Sequence, residues 1–348
     1  MSSANAPVYI KEIEIADYKS FKGEHKFTFV DEDNKWCQWN VFLGNNNAGK
    51  TNLLKWMASM YKQPLIFYAY GVIRQIETTG ISESKPTGNT DNLLHNSKLI
   101  NFEDWLFQLD YAAKNGQEKA AVKRDLLKEV LVSEIFPEIN DIRFTSNDKL
   151  KNYIEYQTKD GGWYRLSELG YGYQAMFAWM MDFAKRLFDR YPDSPNPLKE
   201  PAVLLVDEID LHLHPYWQRT IIKYLSNLFP QTQFIVTTHS PFILQSMENV
   251  NLYTLRREGD HTIPTHHGNR SFIGWGIEEI LSEVMELEDN VRTDRYQDLI
   301  KRFGDALDND NYKAAKSAYD ELSKILHPAS AERKLMEIQM TQLSSSDD

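Results

Sequence analysis

The stretch "WNVFLGNNNAGKTNLLKWMASMY" constrains this chain more than any other part of it. A mostly apolar run suited to a buried strand breaks into the octet Gly44–Thr51, and apolar residues at three-four spacing follow, as in a helix. The octet has the form G-x-x-x-x-G-K-[ST], a pattern that also arises by chance and gains meaning only between such a strand and such a helix. Its glycines let consecutive backbone N–H groups turn inward, where a Cβ would block an approaching anion. The helix beginning near Lys50 adds its partial positive end. The octet therefore reads as a cradle for nucleotide phosphates, with Lys50 reaching the β- and γ-phosphates and the Thr51 hydroxyl ligating magnesium. Gly44, Asn45, Asn46, Asn47, Ala48, Gly49, Lys50, Thr51 and the adjoining Asn52 are the candidate binding residues. The competing reading is a turn that only caps a helix.

Two downstream stretches bear on that choice. "AVLLVDEIDLHLHP" carries an apolar strand to Asp207 and Glu208, and ligands of open α/β sheets bind outside the carboxyl ends of strands. Asp207 is suited to hold the magnesium, and Glu208 to act on the attacking water as a general base. "QFIVTTHSPF" repeats the arrangement and delivers His239 to the same edge, within reach of a γ-phosphate and its water. Solvated strand ends and a structural histidine are the plainer alternatives. His212 and His214 in "DLHLHP" have a spacing that could bind metal on a strand, but zinc is disfavoured there, and His266 and His267 read as solvated loop residues.

The remaining chain reads as a protein of more than one part. It has 348 residues, 42% of them hydrophobic and 26% charged, the balance of a globular protein with a sizeable core. There is no apolar run of membrane-spanning length, and "MSSANAPVYI" lacks the features of a signal peptide. A lone cysteine, Cys37, leaves no internal disulfide and suits a reducing cytoplasm. The net charge of −11 opposes a surface coated throughout by nucleic acid, and acids outnumber bases roughly two to one beyond residue 271. "IKEIEI" and "KFTFV" alternate as strands, and residues 62–145 hold two amphipathic helices, the first capped by Asn101. The polar stretch "TTGISESKPTGNTDN" reads as a loop, and "NYIEYQTKDGGWYRLSEL" as a hairpin around Asp160-Gly161. "AVLLV", a helix and "QFIVTT" imply parallel strands. Helices fill the tail, and "SSSDD" reads as a disordered end.

"GNNNAGKT", "LLVDEIDLHLHP" and "FIVTTHSPF", in this order, resemble the ABC-type ATPases of the RecF, SMC and OLD group. The nearer resemblance is to the compact AAA-labelled ATPases of bacterial anti-phage defence operons, of the Septu and retron-associated types. The resemblance covers residues 8–60 and 150–256. It implies an α/β, ABC-ATPase-like P-loop core with a mixed sheet, over 1–61 and 146–270; residues 62–145 read as an insertion with helices, and the C-terminal helical tail over 271–348, whose apolar stripes lie beside acids, reads as an assembly surface or else a cover for its own subunit's core. The resemblance implies ATP and magnesium as cofactors. It also implies a signature segment that caps the nucleotide of the opposite subunit: Gly170, Gly172, Tyr173 and Gln174 in "LGYGYQ". Gly170 stands where the family pattern has serine; a second register would use the Ser167 hydroxyl, and a plain helix-capping turn is the alternative. A glutamine-loop sensor is expected at Gln75 or Arg74, and Lys19, Ser20 and Phe21 resemble the family's segment near the adenine.

The function implied is an ATP-hydrolysing switch, a dimer or higher homo-oligomer, that regulates an effector nuclease of HNH or Toprim type supplied by a neighbouring gene. It would sit in the cytoplasm, with DNA a possible partner and no membrane. The alternatives are a RecF-like repair ATPase acting directly on DNA and a nucleotide-dependent scaffold with negligible turnover. Nothing in the chain reads as a nuclease constellation of its own.

Overall fold

The computed structural model describes residues 9–60, 67–80, 87–133, 136–148, 151–286 and 293–344. It divides into two compact units, Met1–Ile280 and Leu281–Asp348.

The first unit is built on three sheets. Strands β1 (Glu12–Tyr18) and β2 (Phe21–Thr28) form an antiparallel pair whose alternation puts Ile13, Ile15, Phe21 and Phe27 inside. The central sheet contains β3 (Trp39–Leu43), β4 (Phe67–Tyr70), β8 (Ala202–Val206), β9 (Thr232–Thr238), β10 (Val250–Glu258) and β11 (His261–Arg270). Its order is β11-β10-β3-β9-β8-β4, parallel throughout except for the antiparallel β10–β11 pair. The third sheet is an antiparallel meander of β5 (Ile139–Ser146), β6 (Asn152–Thr158) and β7 (Trp163–Arg165). The expected α/β fold with a mixed central sheet is therefore the one observed.

Every residue of β3, β4, β8 and β9 is buried, as strands covered on both faces must be. The helix Lys50–Met60 places Leu53, Leu54 and Met57 against this sheet, and Phe27, Phe29, Phe42 and Tyr253 interlock beside them with ring centroids 5.2–6.3 Å apart. The helix Tyr171–Arg190 buries most of its length. It is tied to the sheet by Tyr70, whose hydroxyl donates to Asp182 at 2.7 Å; Arg186, one turn on in the same helix, pairs with that carboxyl group at 2.6 Å.

Several features differ from expectation. Phe67–Tyr70, within the segment expected as an insertion, forms the edge of the central sheet beside β8. Apolar runs this short do not reveal their period, so a strand here was hidden among helical patterns. The β5 strand and the β10–β11 hairpin, closed at Asp260, were likewise not read from the sequence. His266 and His267 lie on β11 rather than in a solvated loop: His266 stacks on Tyr253 at 4.2 Å, and His267 bonds Thr254 at 2.9 Å. Asn101 does cap its helix, accepting from the Asp104 N–H at 3.2 Å, and the β6–β7 hairpin turns at Asp160 and Gly161 as read. Of the expected loop at 78–92, residues 81–86 lie outside the described residues, as do 345–348 of the expected disordered end.

The second unit holds helices Asp294–Asp308, Tyr312–Ile325 and Ala331–Ser344 around a core of its own, with Leu299, Phe303, Ala318, Leu322, Met336 and Met340 inside. "IEEILSEVMEL", read as one helix, is a single turn at Ile277–Glu279 followed by a π-turn at Ile280–Val284.

The aromatic cluster yields a first prediction. Phe42→Ala removes a fully buried ring touching Phe27, Phe29 and Tyr253. It is expected to cost about 3–5 kcal/mol, read as a fall in the urea midpoint of the first unit's unfolding.

Candidate functional site

The parallel strands end on one side, and the sequence motifs meet there. Because Val206 on β8 registers with Val236 on β9, the residues just beyond them, Asp207 and Thr237, stand side by side. The Thr237 hydroxyl donates to Asp207 Oδ1 at 2.6 Å and accepts the Glu208 N–H at 2.8 Å. From the octet, the Thr51 hydroxyl donates to the other carboxyl oxygen of Asp207 at 2.7 Å. Asp207 is 1% exposed, so these two hydroxyls supply what water would otherwise give. A hydroxyl and a carboxyl oxygen at this separation are hard ligands of the kind magnesium takes alongside substrate phosphates, so the pair fits that ion.

Lys50 is 6% exposed, and its ammonium lies within the octet, donating to the carbonyls of Gly44 at 2.5 Å and Asn45 at 3.1 Å. Burial lowers its pKa, opposed by the nearby carboxyl groups of Glu208, Asp207 and Asp210. Among the described residues it has no ion-pair partner, so an anion entering the loop would meet a cation held only by carbonyls. Asn45, Asn46 and Asn47 are exposed at the loop tip, with Asn47 at φ 65°, while Ala48 and Gly49 are buried beneath it. Gly49 sits at φ +96°, and a Cβ there would come within 3.0 Å of the Thr262 and Ser20 hydroxyls; only glycine takes that backbone cheaply. Asn52 accepts from Lys19 at 2.9 Å, and Ser20 is bonded to Thr262, so the "DYKSFKG" segment and the β10–β11 hairpin brace the loop from below.

Glu208 is partly exposed and has φ +49°, an uncommon conformation for a residue other than glycine. Its turn projects the chain out of the strand. Two residues on, Asp210 accepts from the Thr238 hydroxyl at 2.5 Å and lies 3.8 Å from His239 Nε2. His239 is half exposed, free to meet a ligand on its outer side.

Arg74 is the fully buried cation of the site, 4% exposed, with Nη2 donating to the carbonyls of Asp207 and Glu208. Burial depresses its pKa to about 10. Of the two residues expected as the sensor, Gln75 is exposed, and its carbonyl serves a bridge to Leu99.

The candidate signature segment lies elsewhere. Gly170 caps the Tyr171–Arg190 helix, and Gly172 rests on the His212 carbonyl, which a Cβ would approach to 2.6 Å. Tyr173 stands edge-on to Trp217 at 4.2 Å, Tyr171 edge-on to His212 at 4.6 Å, and the Gln174 amide donates to Leu169. No hydrogen bond or ring contact among the described residues joins this segment to the octet. Ser167 is exposed in the short turn before it. His214 caps the turn Pro215–Gln218 through Nδ1.

Thr237, Thr238, Asp210 and Arg74 belong to the site, yet sequence reading assigned the threonines and Asp210 no part in it and left Arg74 an alternative. The signal was present in "VTTHS": two hydroxyls just before the histidine, on the strand that pairs with the acidic one. A cleft of about 1520 Å³ near Trp36, Trp39 and Pro230 lies toward the opposite ends of the strands and takes no part in this constellation.

The hydroxyl brace predicts a measurable cost. Thr237→Val leaves a buried carboxyl oxygen and the Glu208 N–H without their partners. A loss of about 1–3 kcal/mol in unfolding free energy is expected, read by chemical denaturation.

Residues 84–245 match the AAA_21 family, described as "AAA domain, putative AbiEii toxin, Type IV TA system"; the match includes the candidate signature, acidic and histidine segments and begins after the octet. The chain is similar to the Septu protein PtuA of Bacillus thuringiensis, 27% identical over 82% of this chain and 73% of that one. It is also similar to the "Retron Ec83 probable ATPase" of Escherichia coli, 34% identical over 42% of this chain and 26% of the relative's length. Among solved structures, the SMC head domain from Thermotoga maritima aligns with 74% of this chain and 98% of its own, at a TM-score of 0.41 and 15% identity. The resemblance to the Septu and retron ATPases, drawn from the sequence motifs, is borne out.

Proposed function

We propose that this chain is an ATP-hydrolysing switch in bacterial anti-phage defence that dimerises through its nucleotide sites and regulates a separate effector nuclease. The observation that carries the reading is the Thr51–Asp207 hydrogen bond, which joins the phosphate cradle to the acidic strand end beside the buried Lys50 ammonium. In this reading the octet and Lys50 hold the β- and γ-phosphates. Glu208 takes a proton from the attacking water as its oxygen bonds to the γ-phosphorus and the bond to the bridging oxygen breaks, releasing ADP. His239, steadied by Asp210, hydrogen-bonds the γ-phosphate. Thr51 and Asp207 would hold a magnesium ion, which would supply charge neutralisation at the phosphate oxygens.

The signature segment supports a two-chain unit, because among the described residues Gly170, Gly172, Tyr173 and Gln174 share no hydrogen bond or ring contact with their own octet and stand at a helix N-terminus that suits a second chain's nucleotide. The similarity to Septu and retron ATPases supports the defence role; an effector nuclease of HNH or Toprim type as partner is what the resemblance of the motifs implies. Among the described residues no helix is long and apolar enough to cross a membrane, in keeping with a cytoplasmic place of action.

Lys50→Ala is expected to abolish ATP binding, since it removes the cradle's mobile cation. Glu208→Gln should bind ATP and hydrolyse it about 100-fold or more slowly, accumulating a dimer visible by light scattering. A normal rate in Glu208→Gln would show that the base lies elsewhere.

The chain alone is expected to hydrolyse ATP with magnesium and to leave nucleic acid intact. Incubation of purified protein with plasmid and tRNA, with magnesium or manganese and with or without ATP, tests this. Cleavage that disappears in Glu208→Gln would make the chain itself the effector.

A further inference from the structure

We infer that Arg74 is a positioning residue for hydrolysis: its guanidinium clamps the main chain at Asp207 and Glu208 and so holds the general base in place. This rests on the ATPase reading above. Nη2 donates to the Asp207 carbonyl at 3.0 Å and to the Glu208 carbonyl at 2.8 Å, and Nε to the Gly71 carbonyl at 3.4 Å. Successive carbonyls of an extended strand point to opposite sides. Here two of them converge on one nitrogen because the chain turns at Glu208, at φ +49°. The clamp and the unusual turn are therefore one feature. Releasing the guanidinium would free both carbonyls and the backbone that aims the Glu208 side chain.

Three observations separate this from an ordinary buried arginine. Among the described residues Arg74 has no carboxyl group in hydrogen-bond contact, although buried arginines are commonly paired; Asp210, Asp207 and Glu208 act on it only through space. Its Nη1 is buried without any acceptor, a cost a packing role would have removed. Its guanidinium also lies 6.0 Å over Trp179, in the helix that begins at the signature segment, and that helix is held to β4 by Tyr70 and Asp182. A displacement of that helix would reach Glu208 through Arg74. Lysine does not match it, because the rigid guanidinium plane meets the Asp207 and Glu208 carbonyls through Nη2 and the Gly71 carbonyl through Nε at once, whereas a lysine carries one ammonium on a flexible stem.

The test uses the full chain. Arg74→Met is expected to lower kcat about 100-fold, the lower end of what a positioned general base contributes, while KM and affinity for a fluorescent ATP analogue stay within about threefold. Arg74→Lys, which keeps the buried charge should Arg74→Met fold poorly, is expected to show the same split. Guanidinium at non-denaturing concentration should restore part of the rate in Arg74→Ala. Hydrogen exchange of the Glu208–Leu211 amides should quicken in each variant. A kcat near wild type in Arg74→Lys or Arg74→Met, or ATP affinity falling in step with kcat, overturns the inference. If Glu208→Gln is slow while Arg74→Met is normal, this inference alone fails. If the wild-type chain hydrolyses no ATP, the ATPase reading fails instead, and unchanged exchange at Glu208–Leu211 would then dispose of the clamp as well.

Discussion

The site depends on one buried carboxyl group. Asp207 has almost no solvent, and both its oxygens are met by hydroxyls from different segments, Thr51 of the octet and Thr237 of β9. Its N–H is taken by the Tyr70 carbonyl of β4. Three segments distant in sequence thus converge on one residue. A carboxyl group left unpartnered at this depth would cost several kcal/mol, so the strand order and the position of the octet are coupled to its satisfaction. Parallel pairing makes this possible, because it brings the carboxyl ends of β3, β8 and β9 to a single edge.

The neighbouring groups extend the same logic. Thr238 serves Asp210 as Thr237 serves Asp207, and Asp210 in turn stands beside His239. On the other flank, Arg74 holds the carbonyls that follow the strand, while the Tyr70–Asp182 hydrogen bond ties the long helix to β4 and Arg186 of that helix steadies Asp182. The acidic turn, the edge strand and the signature helix are connected by charged or charge-assisted hydrogen bonds, which are stronger and more directional than apolar packing. The tail stands apart in this respect: it is a separate compact unit with its own apolar core.

Legibility from sequence followed the strength of local signals. The β3, β8 and β9 strands are unbroken apolar runs, and the helix after the octet has clear spacing, so each was readable. The β4 strand, only Phe67–Tyr70, lies within a stretch whose neighbours are helical, and four residues carry no period. The β10–β11 hairpin was hidden by composition: "RREGDHTIPTHHGNR" has little alternation, because much of β11 is exposed and its register shifts between Leu252 and Tyr253. His266 looked solvated for the same reason, yet it stacks flat on Tyr253.

The sequence by itself determined the chemistry on offer: a Gly-rich loop with Lys50 and Thr51, an acidic pair after a buried strand, and a histidine after another. These are local patterns, since a residue type at a strand end or helix start carries its meaning within a few positions. Only the tertiary structure decided which groups hold them. Thr237 reaches Asp207 because β8 and β9 pair in one particular register, and Arg74 reaches two carbonyls because β4 lies beside β8 and the chain turns at Glu208. Such partnerships depend on the alignment of strands far apart in the chain, and that alignment is set by the burial of whole faces, which no short stretch of residues encodes.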